Sequence, residues 1–304
     1  MKTQHGLAVI SAILVVALVA SAASFMAWQQ QLWVRQVENL SEQAQSRAVV
    51  QAAMQWARSI LAQDARDNQV DHLGEGWANA LAPLPVDGGE LTGRLVDQQG
   101  LFNLNNLVRS GGTSAADIAV FRKLLGLLAL PPELAALVAD WIDPNADVTY
   151  PGGAEDSDYL ALDPPRRAAN RPLTTVDGLA RLKNFNADAL ERLRPFVTAL
   201  PQPTPVNVNT APPEVLAAVI PDLTLDQARE MVKAREDRHF KDIADFRAHL
   251  PKSVGQINEA LLSVGSRYFL VSGHARFGRA KVGLQALLER ESTAWPKLVW
   301  QKNI

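Results

Sequence analysis

The stretch ADWIDPNADVTYPGGAEDSDYLALDPPRR, residues 139–167, carries more potential chemistry than any other part of the chain. Asp143, Asn145, Asp147, Glu155, Asp156 and Asp158 fall within sixteen residues, among prolines and glycines. A loop of this composition buries little apolar surface, so its own side chains do little to fix one shape. A hard cation would supply the missing order. Calcium takes six to eight oxygens from carboxylates, amides and carbonyls in adaptable geometry. Asp143-x-Asn145-x-Asp147 offers one set of alternate oxygens, and Glu155-Asp156-x-Asp158 offers a second after the Gly152-Gly153 turn. The glycine and terminal glutamate of an EF-hand are out of register, and magnesium suits so long a loop less well than calcium. The competing reading is a solvated acidic loop paired with Arg166, Arg167 and Arg171. A paired-carboxylate hydrolase is a further alternative, but it needs two acids set apart in a cleft rather than clustered along one loop. Asp140 is expected at the end of the preceding helix, with Trp141 facing the core, and is left outside the ligand set.

Other chemistry is sparse. The chain has no cysteine, which excludes disulfides, thiolate catalysis and Cys-type zinc sites. Its five histidines are scattered without metal spacing, and no Gly-x-Ser-x-Gly, phosphate-binding loop or Gly-x-Gly-x-x-Gly occurs. The net charge of −2 over 304 residues argues against bulk attraction to nucleic acid. The segment from Val206 to Leu250 resembles a helix-hairpin-helix module. However, its hairpin, Pro221–Asp226, lacks both glycines and sets Asp222 and Asp226 where a phosphate would approach. A DNA-handling role is therefore disfavoured, and Lys233, Arg235, Arg238 and Lys241 read as a solvated helix face.

The elements around the acidic loop begin with a long helix. Leu7–Trp28 carries no charge and would span ~33 Å as a helix, enough for a bilayer core. No Gly or Pro occurs from Leu7 to Leu73. Apolar residues continue at helical spacing through Trp33, Val37, Leu40 and Ala44, then Val49, Ala53, Trp56 and Ile60. This predicts one helix of about 60 residues, its first third in lipid and the remainder packed on a domain. The Gly88–Val108 segment alternates as one or two strands. Residues from about 113 to 256 read as short helices punctuated by proline, and Ser266–Glu291 returns to two strands flanking Gly278-Arg279. FNLNNLV (102–108) and VNVNTA (206–211) echo each other. Each is followed by helices and then by a capped segment, 173–179 or 240–246, which predicts an internal duplication. Trp295 and Trp300 are expected to pack locally.

The leader KTQHG followed by LAVISAILVV resembles that of a prepilin. The resemblance implies cleavage between Gly6 and Leu7 by a prepilin peptidase and methylation of the new Leu7 amine. The fifth mature position, glutamate in most pilins and pseudopilins, is Ser11 here. A carboxylate inside lipid persists only when paired, and a subunit without one has no need of an earlier subunit beneath it, which suits a tip. FNLNNLV, DWIDPNADVTYPGGAEDSDYL and VNVNTAPPEVLAAV extend the resemblance along the chain to the K class of minor pseudopilins of type II secretion.

The resemblance implies an α+β pseudopilin fold: a long N-terminal helix packed on a small antiparallel sheet, with a large all-α insertion of two SAM-like, helix-hairpin-helix-like units. The corresponding division is leader 1–6, membrane part 7–28, periplasmic helix and first strands 29–101, insertion 102–262 (units about 102–200 and 206–262), and last strands and tail 263–304. The resemblance also favours calcium, as one or two ions, on the six residues above. It implies a non-enzymatic role, capping the pseudopilus tip and nucleating its assembly. The implied partners are the smaller minor pseudopilins of the I and J classes, the major pseudopilin, the inner membrane and secreted substrates, with no nucleic acid. The leader would remain cytoplasmic and the body periplasmic. A membrane-anchored periplasmic hydrolase or a DNA-uptake factor are the alternatives.

Overall fold

The computed structural model describes residues 4–291 and 294–304, so Lys2 of the leader lies outside the described residues. Helix α1 runs Gln4–Asp67 without a break, as the absence of Gly and Pro after Gly6 allows. Strands β1 (Leu81–Val86) and β2 (Gly89–Asp97) follow. A helical block comes next. Its first unit contains β3 (Phe102–Asn103), β4 (Val108–Arg109), β5 (Gly112–Thr113), α2 (Ala115–Leu127), α3 (Leu134–Ile142), α4 (Asp156–Leu160), α5 (Ala187–Leu193) and β6 (Val197–Thr198). The second contains β7 (Val206–Asn207), α6 (Pro213–Val219), α7 (Leu225–Asp237), α8 (Ile243–Ala248) and β8 (Leu262–Ser263). The chain then returns as β9 (Tyr268–Phe277), β10 (Ala280–Glu289) and β11 (Lys297–Asn303).

The main sheet is antiparallel in the order β1-β2-β9-β10-β11. Gly89 pairs with Phe277 and Asp97 with Phe269, so β2 and β9 are neighbours although the whole block separates them in sequence. The fold is therefore α+β, a helix on a sheet with an all-helical insertion between two adjacent strands. The C-terminal tail forms the fifth strand, and Trp300 packs with Leu200, Tyr268 and Leu287. Prolines 83 and 85 lie in β1, a strand with a neighbour on one side only, where a missing N–H is tolerated.

Helix α1 meets the sheet only in its last third. Ser46, Val50, Met54, Ala57, Leu61 and Ala62 are the buried positions, and Val50, Met54, Ala57 and Leu61 pack with Leu91, Leu95, Phe269, Val271 and Ala275. Of the stripe expected to pack, Val49, Ala53 and Ile60 are partly buried against these cores, one residue to the side, and Ala53, Trp56 and Ile60 line an apolar cleft of about 270 Å³ beside β1. Trp33 and Leu40 do not pack at all and are 68% and 66% exposed. Periodicity alone hid the reason: Val49 lies sixteen residues after Trp33, which turns it ~160° around the helix at 3.6 residues per turn. The two runs share a spacing but not a face. The lowest attachment of the body is the β9–β10 turn. There Arg279 donates its backbone N–H to Glu42 Oε2 (3.1 Å) and its guanidinium to Asn39 Oδ1 (3.2 Å). Gly278 has φ +51°, and a Cβ at that position would collide with the Glu42 carboxylate.

The block crowns the opposite end of α1. Asp97, at the end of β2, accepts from Gln99 N (2.7 Å), Asn207 Nδ2 (3.1 Å), Ser266 Oγ (2.7 Å) and Thr210 Oγ1. Arg290 donates to Asp64 and to both oxygens of Asp71, and Asn207 also donates to Asp71 O. The end of α1, both central strands and the second unit thus meet in one buried network. Burial pushes the Asp97 carboxyl up to about 6 despite its four donors.

The two units are built on one plan. Strand β3 pairs in parallel with β6, and β7 with β8, each closing its own unit. Asn105 accepts from Leu173 N (2.8 Å) and donates to Leu173 O (2.9 Å); Asn209 does the same with Phe240 N and Phe240 O (both 2.9 Å). Each hairpin carries a non-glycine residue at positive φ, Ala129 (50°) and Asp222 (58°). One core runs through both units, and Lys123 on α2 donates to Ile220 O and Leu223 O beyond α6. Asn209 is buried, so Asn209→Ala would leave two backbone groups of Phe240 unpaired. It should cost ~2–4 kcal/mol of stability, read as a lower urea midpoint. A midpoint unchanged from the parent protein would contradict the clasp.

Candidate functional site

Residues near the acidic loop divide into those that point inward and those already paired. Asp140 and Asp143 end α3, three residues apart and so on one helix face. Asp140 is fully buried, and Asp143 and Glu155 are 1% and 3% exposed. Thr149 donates its N–H to Asp140 Oδ2 (3.0 Å), Gly153 donates to Thr149 O (2.9 Å), and the backbone of Gly153 packs so closely on Asp140 that a side chain there would clash. Asp140 Oδ1, both oxygens of Asp143, both oxygens of Glu155 and Asn170 Oδ1 are buried without a hydrogen-bond partner. Buried polar atoms in native proteins are nearly always paired, which sets this group of acceptors apart from the rest of the fold.

The electrostatics agree. Burial, then the Asp140 charge, pushes the Asp143 carboxyl up. Burial, then Asp140 and Asp143, pushes Glu155 up to about 7. Asp140 itself is raised by burial. Three buried carboxylates that repel one another resist ionising together.

The remaining expected ligands are engaged elsewhere. Asn145 Oδ1 accepts from Asp147 N (2.7 Å), and Asp147 is exposed. Asp156 accepts from Ala168 N (3.0 Å) and lies 3.8 Å from Arg167 Nε. Asp158 accepts from Glu155 N and pairs with Lys183 Nζ (2.8 Å), which holds its carboxyl low. Of the six, Asp143 and Glu155 are the ones with buried, unpartnered oxygens, a condition that Asp140 and Asn170 share. Asp140-x-x-Asp143 spacing at a helix end was the available signal for Asp140. Asn170 arrives by tertiary folding, its Nδ2 donating to Asn145 O (3.0 Å), and had no signal.

A second acidic group, Asp64, Asp71 and Glu75, has its oxygens close together. Arg290, Asn68, His72 N and Trp77 Nε1 already occupy those acceptors, so it is a paired structural cluster. At the other end of the molecule, α1 is long and apolar enough to cross a membrane. Gly6 and Leu7 lie in its first turns. Ser11 Oγ donates within the helix, to Leu7 O (2.9 Å) or Ala8 O (3.0 Å), so this hydroxyl needs no partner from a neighbouring subunit.

Comparison with known proteins follows the same division into units. Family models described as "Type II secretion system (T2SS), protein K" match residues 100–202 and 206–265. The chain belongs to the type II secretion system protein K family. The protein K of Pseudomonas aeruginosa is 37% identical over 300 residues, covering 95% of this chain and 90% of that protein. The protein K of Aeromonas hydrophila is 31% identical over 310 residues, covering 95% and 94%. Among solved structures, the GspK-GspI-GspJ complex from the type 2 secretion system of enterotoxigenic Escherichia coli contains a chain of the same fold. Its TM-score is 0.73 at 24% identity, over 93% of this chain and 99% of that one.

The uncompensated charge makes a prediction with a defined sign. Glu155 has a folded-state pKa above its unfolded value, so without a cation stability is lost as pH rises through about 7. In chelator at pH 8, Glu155→Gln should be more stable than the parent protein by ~1–2 kcal/mol. The advantage should shrink toward pH 5, as followed by denaturant midpoints. Equal or lower stability of the variant at pH 8 would show that this carboxylate is not strained.

Proposed function

We propose that this chain is a minor pseudopilin that caps the tip of the type II secretion pseudopilus, helps nucleate the fibre and supports protein export, without catalysing a reaction. The observation that carries the reading is the position of the helical block. It crowns the end of α1 remote from the apolar segment, where a further subunit would have to stack. Ser11, satisfied within its own helix, supports the same view. The body would be periplasmic and α1 would anchor it in the inner membrane, with the leader cytoplasmic. Prepilin peptidase would cut between Gly6 and Leu7 and the new amine would be methylated. Mass spectrometry of the mature N-terminus should find methylated Leu7; an intact Met1 would end this reading.

The partners proposed are the smaller minor pseudopilins of the I and J classes, the major pseudopilin below them, and secreted substrates above. The related GspK chain was solved together with GspI and GspJ. On this chain, the exposed run of Trp33, Val37 and Leu40 supplies an apolar helix face beside the membrane, suited to a neighbouring subunit's helix. Replacing Trp33 and Leu40 by Glu should abolish co-purification with I and J while leaving the melting of the body unchanged, because neither side chain packs on it. Retention of both partners would exclude that face. Nucleic acid is not proposed as a partner, since Asp222 and Asp226 stand exposed at the second hairpin.

Calcium is the cation proposed for the acidic loop, supported by the buried, unpartnered oxygens there. Asp140, Asp143, Glu155 and Asn170 would supply its oxygens, and the ion would neutralise three carboxylates and tie the loop together. In a calcium titration by calorimetry, Asp143→Asn should weaken binding at least ~30-fold, the equivalent of ~2 kcal/mol. Asp147→Asn should change it little. Equal effects of the two substitutions would return the site to the outer acids.

A further inference from the structure

The two units differ at one arginine and its partner. In the second unit Arg238 stands two residues before clasped Phe240 and pairs with Asp245 of α8 (3.5 Å). In the first unit Arg171 stands two residues before clasped Leu173. With the two clasps aligned, Val176 matches Ile243, Leu179 matches Phe246, and the place of Asp245 falls to Gly178. The first unit thus keeps the arginine and lacks its carboxylate. The acids of the neighbouring loop do not replace it, because Asp156 and Asp158 take Arg167 and Lys183 instead.

Arg171 lines a cavity of about 260 Å³. Arg181, at the end of the 3₁₀ turn Val176–Arg181, lines it as well. Neither guanidinium has an acceptor among the described residues. Trp141, 5% exposed, forms part of the wall. Its indole Nε1 makes no hydrogen bond among the described residues and is not one of the sealed unpaired atoms, so its N–H is left open for an acceptor. One acid, Asp177, also lines the cavity. Arg194 Nη1 (2.7 Å) and Lys302 Nζ (3.6 Å) compensate it, and the Arg194 hydrogen bond holds its carboxyl low. The site therefore sets Arg171, Arg181, Arg194 and Lys302 against a single carboxylate. Its backbone is fixed in advance, since Asn105 grips both backbone groups of Leu173 and Leu179 is fully buried.

We propose that this cavity is a docking site for an acidic segment of a partner protein, whose Asp or Glu side chain supplies the carboxylate that Asp245 provides internally in the second unit. A guanidinium presents a planar fork of donors that matches a carboxylate, and two of them together with the Trp141 N–H favour an anion over a neutral amide. The rim, Arg171, Thr174 and Arg181, is exposed, which suits an anchor carried in on a chain. The inference does not depend on a cation in the acidic loop or on a position at the pseudopilus tip.

Fluorescence anisotropy of a labelled hexaglutamate peptide, titrated with the full-length protein in detergent at low salt, tests this. A hexaglutamine peptide should bind at least about tenfold more weakly. Arg171→Gln combined with Arg181→Gln should weaken hexaglutamate binding at least about tenfold and leave the melting temperature unchanged, because neither side chain is paired within the protein. Arg122→Gln combined with Lys233→Gln removes the same charge from exposed positions outside the cavity and should change binding less than about twofold. Equal losses in the two double variants would reveal diffuse attraction and overturn the site. So would the absence of binding at ~1 mM peptide. Displacement of the peptide by free citrate at an equal concentration of carboxylate would assign the cavity to a small acid and overturn the docking role.

Discussion

Everything beyond the apolar half of α1 depends on one enclosed knot of charge and hydrogen bonds. Asp97 leaves the sheet, Asn207 enters the second helical unit, Ser266 leads back into the sheet, and Arg290 joins Asp64 of the rod to Asp71 of its connector. Removing any one partner strands buried polar groups, which is far more costly than the net gain from making the bonds. The arrangement fixes the angle between block and rod more firmly than an apolar seam could, because hydrogen bonds specify direction and apolar contacts do not. Sheet and block have separate main apolar cores, bridged by a small cluster of Leu200, Tyr268, Leu287 and Trp300, and the knot lies where they meet.

This division explains how a pseudopilin-like body tolerates so large an insertion. Strands β2 and β9 remain neighbours, so the sheet is continuous whether or not anything hangs from its end. The block in turn contains two copies of one closed unit, each with its own parallel strand pair and its own asparagine clasp. Each level is closed before the next is attached. Local consistency of this kind is what allows a long chain to specify a single arrangement.

Sequence was a reliable guide where local rules decide the outcome. Uncharged residues without Gly or Pro make one helix, alternation around Gly278 makes a hairpin, and the FNLNNLV and VNVNTA echo becomes two matching asparagine clasps. It was a poorer guide where tertiary packing chooses between equivalent residues. The apolar run of α1 read as one stripe, whereas the buried face passes through Ser46 and Val50, and Trp33 lies on another side. In the acidic loop every carboxylate is a possible ligand by type. Only folding determines that Asp156 and Asp158 meet Arg167 and Lys183 while Asp140 turns inward and Asn170 arrives from the far end of the loop.

The clamp between Arg279 and α1 has a further geometric consequence. From Gln29 to Asn39 the rod carries nothing, and that interval is ~15 Å of bare helix. The polar layer of a bilayer accounts for only ~5–8 Å on each side. With the apolar segment set in a bilayer, the body would stand clear of the headgroups instead of resting on them. The space beneath it would give an adjacent rod access to the helix from any direction, and the protein could swivel without dragging its bulk through the lipid surface.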